Sequence, residues 1–194
     1  IVSSGEQLYI DNQLRKFLEH NPNVELHNHY GPAETHVVTA HKVSARDQNI
    51  VYRSPIGQPI SHTSIYVLDK HQNIQPLGVE GEIFIAGSNL ALGYQKNEEL
   101  TSEKFLNNPF ESGTKMYRTG DIGKWTGEGN LVYLRRNDDQ VKIRGFRVEL
   151  DEIQTVINRQ ENVTDSVVLI EELNNKDKAI VAYVLGEECD LKKL

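Results

Sequence analysis

Short alternating runs closed by glycine turns dominate the middle of the chain: Ser64-Ile-Tyr-Val-Leu-Asp69, Gly81-Glu-Ile-Phe-Ile-Ala86 and Leu131-Val-Tyr-Leu134. A period of two sends successive side chains to opposite faces, so each run reads as a strand. Pro76-Leu-Gly78 turns the chain between the first two. Gly127-Glu-Gly-Asn130, between Trp125 and Leu131, reads as a hairpin turn. Closely spaced strands joined in this way predict a small barrel or sandwich over about 55–135.

Outside that region the texture changes. Leu14, Phe17 and Leu18 recur on one face of a helix expected over 7–20, which Asn21-Pro22 ends. A short strand, Val24 to His27, leads into Tyr30, a Gly31-Pro32 turn and the acid Glu34. The polar run Arg135-Arg-Asn-Asp-Asp139 breaks the strand pattern, as a hinge would. Beyond it, Gln140 to Arg144 reads as a strand, and Leu150, Ile153, Val156 and Ile157 recur at helical spacing. Asp165 to Glu171 and Lys178 to Leu185 read as strands joined by an Asn174-Asn175 turn, giving a β-α-β-β lobe. The expected organisation is thus α/β with a β-rich, barrel-like part. A sheet remnant over 1–54 and the barrel-like subdomain over about 55–137 form one unit, and a hinge with a truncated α+β lobe over 138–194 forms the other.

Composition removes several classes. The chain of 194 residues has 21 Lys and Arg against 28 Asp and Glu, a net charge of −7. Duplex nucleic acid calls for a basic patch, so it is not expected as a partner. The longest apolar run, Ala179 to Leu185, is far short of a membrane span. A single cysteine, Cys189, forms no disulfide framework within the chain and suits a reducing, cytoplasmic setting. The opening Ile-Val-Ser-Ser carries no initiator Met or signal pattern, which we read as a piece of a longer protein.

Candidate chemistry is spread thinly. His27, His29, His36 and His41 cluster, and His27 and His29 share a face if the strand continues, but their spacing fits no compact metal motif. Neither G-x-x-x-x-G-K-[ST] nor G-x-G-x-x-G is present. Tyr30-Gly-Pro-Ala-Glu34 is either a surface turn with a solvated acid or a loop offering a ring and a metal ligand to one nucleotide. Asp121, after Thr119-Gly120, either caps a turn or accepts hydrogen bonds from both hydroxyls of a ribose, as acids do in dinucleotide folds. Arg135, Arg136, Lys142, Arg144 and Arg147 form either a solvated strand face or a complement to phosphate.

Together these motifs carry a resemblance. "NHYGPAE" resembles N-x-Y-G-P-T-E of the adenylate-forming enzymes, and "GEIFIAGSNLALGY" resembles their G-E-[IL]-x-[IV]-x-G-x-x-x-A-x-G-Y. "YRTGD" matches Y-[RK]-T-G-D, and "RRNDDQVKIRGFRVELDEI" resembles G-R-x-D-x-Q-V-K-[IL]-R-G-x-R-[IV]-E-L-x-E-I. The four occur in the family's order over residues 28–153, and the last looks most like the adenylation domains of nonribosomal peptide synthetases. The resemblance implies a partial adenylate-forming-enzyme fold. It implies that Tyr30 lies on adenine, Glu34 binds Mg²⁺, Asp121 holds the ribose, Tyr133 flanks the nucleotide and Arg136 reaches ribose or phosphate. Asn28 and Gly31 join the nucleotide set through the same motif, and Gly5-Glu6 resembles the segment that packs by adenine. Asp138 matches the hinge, while Gly145 and the strand carrying Lys142 would face the thiol acceptor. Val2, Ser4, His29, Val37 and Val38 match positions lining the substrate pocket, whose small and polar walls suit a small or polar amino acid better than an indole.

The implied reaction joins a carboxylate to the α-phosphate of ATP, releases pyrophosphate and then passes the acyl group to the phosphopantetheine thiol of a carrier domain. Two anions must approach, so the site has to supply positive charge and fixed donors. One site serves both steps by rotation about a hinge. The sequence departs from the pattern at Ala33, where relatives carry Thr or Ser, at Leu92 in place of Arg and at Arg135 in place of Gly. A hydrogen bond to a charged phosphate, such as the Ala33 position lacks, is worth roughly 1.5–3 kcal/mol. The resemblance puts the phosphate loop before Ile1 and the catalytic Lys after Leu194, so this piece is expected to be inactive by itself. A piece of a stand-alone acyl- or aryl-acid ligase, or a folded segment with no activity of its own, remain as alternatives. A carrier-protein pattern following residue 194 would favour the synthetase.

Overall fold

The structure is a computed structural model. It describes the backbone of residues 1–47, 50–137, 140–143, 146–172 and 178–186, and their side chains except at 140–143, 146–147, 151, 172 and 178. The chain divides into two compact units, Ile1–Asn137 and Asp138–Leu194.

The first unit opens with β1 (Val2–Ser4), α1 (Asn12–His20) and β2 (Glu25–Tyr30), and β1 and β2 pair in parallel. β3 (Thr39–Ser44) and β4 (Gln58–Pro59) extend this sheet antiparallel in the order β1-β2-β3-β4. Helix α1 starts five residues later than the apolar spacing predicts. Ser54 N donates to Leu8 O at 3.0 Å and Ile10 N to Tyr52 O at 2.7 Å, which holds residues 8–10 extended. The Asp11 side chain, accepting from Leu14 N at 2.8 Å, then sets the helix start. Leu18 buries against Ile10, Leu26 and Val43. Strand β2 runs on to Tyr30, with Leu26, Asn28 and Tyr30 buried and His27 and His29 on the opposite face.

A second sheet follows. β5 (Thr63–Leu68), β6 (Gly81–Gly87), the helix α2 (Glu98–Lys104), β7 (Phe105–Asn107), β8 (Lys115–Trp125) and β9 (Leu131–Arg136) come in chain order. The strands pair antiparallel as β5-β6-β8-β7, with β9 also on β8. The β6–β8 and β8–β9 ladders each slip in register, at Glu82/Phe84 and at Ile122/Gly123. Such bulges bend strands, and they curl this open sheet into a half-barrel. Strand β6 is buried on both faces. Ile83 and Ile85 join Tyr30, Val38, Tyr117 and Leu131 in a core shared by the two sheets, while Phe84 and Ala86 pack with Leu68 and Met116 on the far side. That shared core brings the first sheet's Tyr30 loop against the second sheet's β8.

One half-buried histidine in this unit predicts a pH effect. Burial pulls the His41 imidazole below its ordinary 6.5, against the smaller opposing pull of Asp47. The folded state therefore favours the neutral ring, and the unfolded state takes up the proton first as pH falls. The contribution is complete above pH 6.5 and is lost below it. His41→Gln is expected to flatten the decline of Tm between neutral and mildly acidic pH, measured by thermal melts; an unchanged slope would dismiss the effect.

The second unit holds β10 (Gln140–Ile143), β11 (Phe146–Glu149), α3 (Leu150–Asn158), β12 (Val163–Glu172) and β13 (Lys178–Gly186). Its order is β-β-α-β-β rather than the expected β-α-β-β. Phe146-Arg-Val-Glu149 alternates over only four residues, and its pairing with β10 is what makes it a strand. Helix α3 packs on β12, where Ile157 and Val168 are buried and Ser166 Oγ donates to Asn158 Oδ1 at 2.7 Å. The Asn174-Asn175 turn lies outside the described residues. No helix among the described residues is long and apolar enough to cross a membrane.

Candidate nucleotide site

The loop after β2 is folded back on itself. Val38 N donates to Tyr30 O at 2.8 Å and Thr35 N to Pro32 O at 3.1 Å. A Cβ at Gly31 would lie 1.6 Å from His36 O, so this approach admits only glycine. The loop is clamped from the segment after β6: Asn89 Nδ2 donates to Thr35 O at 3.2 Å and to Val37 O at 3.4 Å, and Ala91 N donates to Glu34 O at 2.7 Å. Two motifs far apart in sequence thus build one loop pair.

The Thr119-Gly-Asp121 motif is a bulge. Phe84 pairs with Arg118 and Glu82 with Ile122, so three residues of β8 stand against Ile83. Gly120 adopts φ 75°, open to glycine without strain. Thr119 Oγ1 donates to Ile83 O at 2.7 Å and accepts from Asp121 N at 2.9 Å, and this turns the Asp121 carboxylate inward. There Tyr30 Oη donates to Asp121 Oδ2 at 2.6 Å, and Arg136 Nη1 donates to Asp121 Oδ1 at 2.8 Å. The Asp121 and Arg136 side chains are 4% and 13% exposed. Burial, and then the Asp121 charge, hold the Tyr30 phenol well above its ordinary 10, so it stays a donor.

Glu34, at the far end of the loop, accepts from Tyr94 Oη at 2.7 Å through Oε1, and its Oε2 is buried. Tyr94 Oη lies 3.3 Å from Tyr117 Oη. Burial first, then the Tyr94 hydrogen bond, raises the Tyr117 phenol. Tyr94, Tyr117 and Tyr30 all pack in or against the core between the sheets, so both acids border the same cluster. Sequence reasoning missed the roles of Tyr94, Tyr117, Asn89, Glu82 and Arg53. Tyr94 and Asn89 sit inside a quoted motif, yet nothing in the letters says which loop they reach.

The remaining expected residues divide. Ser4 stands opposite His29 and Val2 opposite His27 in the parallel ladder, so Val2, Ser4 and His29 share a face, with Val2 exposed. The His27 and His29 rings meet edge-on with centroids 6.0 Å apart. Val37 is half-buried in the loop, whereas Val38 is fully buried in the core between the sheets. Asn28 is buried and its Nδ2 donates to Pro55 O at 2.7 Å, fastening that segment to β2. Gly5 turns the chain after β1 at φ 94°, and Glu6 next to it is exposed. Tyr133 is half-buried under Arg53, whose Cζ is 6.0 Å from the ring centroid and whose Nη2 donates to Leu134 O at 2.6 Å. The basic stretch splits by strand alternation. Arg135 points outward to an exposed pair with Glu80 at 2.8 Å, and Arg136 points in to Asp121. Lys142 lies on β10 with its side chain outside the described residues, as are Asp138 and Gly145 altogether.

A cavity of about 900 Å³ lies elsewhere, lined by residues including His62, Ser88, Leu92, Glu98 and Lys115. It takes in none of the expected site residues. No group of three or more His, Cys, Asp or Glu suited to a metal occurs among the described residues. One hard carboxylate at Glu34 still fits Mg²⁺, which is commonly held by one or two carboxylates together with substrate phosphates.

Residues 1–95 match the AMP-binding enzyme family, and the chain belongs to it. Within that family it is similar to adenylation segments of nonribosomal peptide synthetases. It is 46% identical over 187 residues to Gramicidin S synthase 2 of Brevibacillus brevis, covering 96% of this chain and 4% of that protein. Holo-PA1221, a synthetase protein with adenylation and PCP domains bound to a vinylsulfonamide inhibitor, superposes with TM-score 0.81 at 30% identity, over 96% of this chain and 32% of the other. The four-domain synthetase holo-AB3403, bound to AMP and glycine, gives TM-score 0.60 at 38% identity over all of this chain and 14% of that one. The chain therefore spans a small fraction of these relatives.

Proposed function

We propose that the chain is the nucleotide-holding part of an amino-acid adenylation domain in nonribosomal peptide or hybrid polyketide synthesis. The domain joins a substrate carboxylate to the α-phosphate of ATP and hands the acyl group to a carrier-domain phosphopantetheine thiol. The observation that carries this reading is the buried Tyr30–Asp121–Arg136 network, which joins residues 91 positions apart. A carboxylate held this rigidly can accept both ribose hydroxyls, and the Arg136 guanidinium beside it offers donors and charge to ribose or phosphate. Tyr30 and Tyr133 supply aromatic faces for the base. Glu34, held by Tyr94, would hold Mg²⁺, which supplies charge to offset the phosphates. Val2, Ser4, His29 and Val37 contribute to a pocket for a small or polar amino acid, with Val38 supporting it from the core. By the resemblance, Asp138 would serve as the hinge, and Lys142 and Gly145 would act in the thiol-transfer step.

The full-length protein that contains this chain is expected to catalyse amino-acid-dependent ATP–pyrophosphate exchange. Its failure with a broad panel of amino acids and other carboxylic acids would overturn the reading. The 194-residue chain by itself is expected to show little or no exchange, because the resemblance puts the phosphate loop and the catalytic Lys outside it. Robust exchange by this chain alone would refute that division of labour.

A further inference from the structure

The bulge that aims Asp121 is tethered from a different strand. Turning three residues out of the β6–β8 ladder leaves backbone groups that need partners. Asp121 N finds Thr119 Oγ1, Gly120 O accepts from Asn137 N at 2.8 Å, and Thr119 O accepts from Arg136 Nη2 at 3.1 Å. Gly120 N donates to a side chain, Glu82 Oε1, at 3.1 Å. The same carboxylate accepts from Arg118 Nε at 3.0 Å and 3.1 Å, and the Glu82 side chain is 13% exposed against 41% for Arg118. Arg118 thus holds the carboxylate from the rim while the carboxylate holds the bulge. Gly120, at φ 75°, has no Cβ to restrict its swing, so this tether, with the Thr119 and Asn137 contacts, helps fix where the next residue stands.

The geometry points to Glu82 as a positioning residue for the nucleotide. Its carboxylate fixes the Gly120 amide and so sets where the Asp121 carboxylate meets the ribose hydroxyls. Glu82 itself touches no substrate. The inference rests on the reading of Asp121 as the ribose acid.

The test is ATP–pyrophosphate exchange by the full-length protein, with ATP and amino acid varied in turn. Glu82→Ala is expected to raise the KM for ATP about tenfold, the scale of one charge-assisted hydrogen bond, and to leave the amino-acid KM within about twofold. Glu82→Gln keeps an acceptor for Gly120 N and is expected to recover most of the ATP affinity. In an Asp121→Ala background, Glu82→Ala is expected to add little, because both act on one contact. Should Glu82→Ala not fold, Glu82→Asp, whose shorter side chain withdraws the acceptor, carries the same expectation. A loss confined to kcat and unrepaired by Gln assigns Glu82 to fold support and overturns the inference, as does full additivity with Asp121→Ala. An ATP KM unchanged by Asp121→Ala alone overturns the ribose reading itself, and the inference with it.

Discussion

Asp121→Ala in the full-length protein is expected to lower adenylation at least about tenfold, since a hydrogen bond to a charged group contributes roughly 1.5–3 kcal/mol. Two effects combine at this position. The variant loses the proposed ribose acceptor, and it leaves the 13%-exposed Arg136 guanidinium without its carboxylate. Breaking a buried pair from one side costs about 3–5 kcal/mol of stability. Asp121→Asn separates the two, since it keeps an acceptor oxygen for Tyr30 or the ribose and removes the charge. Both variants are expected to melt earlier, because each leaves Arg136 without its carboxylate; if the ribose role holds, the Ala variant raises the KM for ATP more than the Asn variant. Unchanged ATP affinity and rate in folded Asp121→Ala would dismiss the role.

Gly31→Ala is expected to disable the same site by another route. The added Cβ would meet His36 O at 1.6 Å, His36 C at 2.6 Å and Val37 Cα at 2.9 Å, all of them backbone atoms that cannot rotate away. The loop must open, which breaks the 2.8 Å bond from Val38 N to Tyr30 O and loosens the Asn89 clamp. The expected cost is about 3–5 kcal/mol, in the range of strained or overpacked sites. In a protein of this size that lowers Tm by roughly 6–20 °C, read by a thermal melt of the 194-residue chain. Adenylation by the full-length variant should fall together with stability, because Tyr30 and Glu34 are the two ends of the opened loop. An unaltered Tm would show that the loop has room that this geometry denies.

Both predictions concern contacts between segments that the letters named separately. The strands around Ile65, Ile83 and Val132 follow from alternation and turn residues, which act over a few positions. The polar break at Arg135–Asp139 and the four motifs are equally local. Helix α1 could not be placed from its apolar spacing alone, because residues 8–10 pair with the chain at 52–54. Strand β11 emerges only from its pairing with β10.

The sequence by itself therefore determined the central strands, their turns and the family. Tertiary structure alone decided that Tyr30 hands its hydroxyl to Asp121, that Tyr94 holds Glu34, and that Arg136 turns inward where its neighbour Arg135 turns to solvent. The physical reason is range. Period and turn chemistry are written in neighbouring residues, but the partner of a buried polar group depends on bulges and on which sheet packs against which.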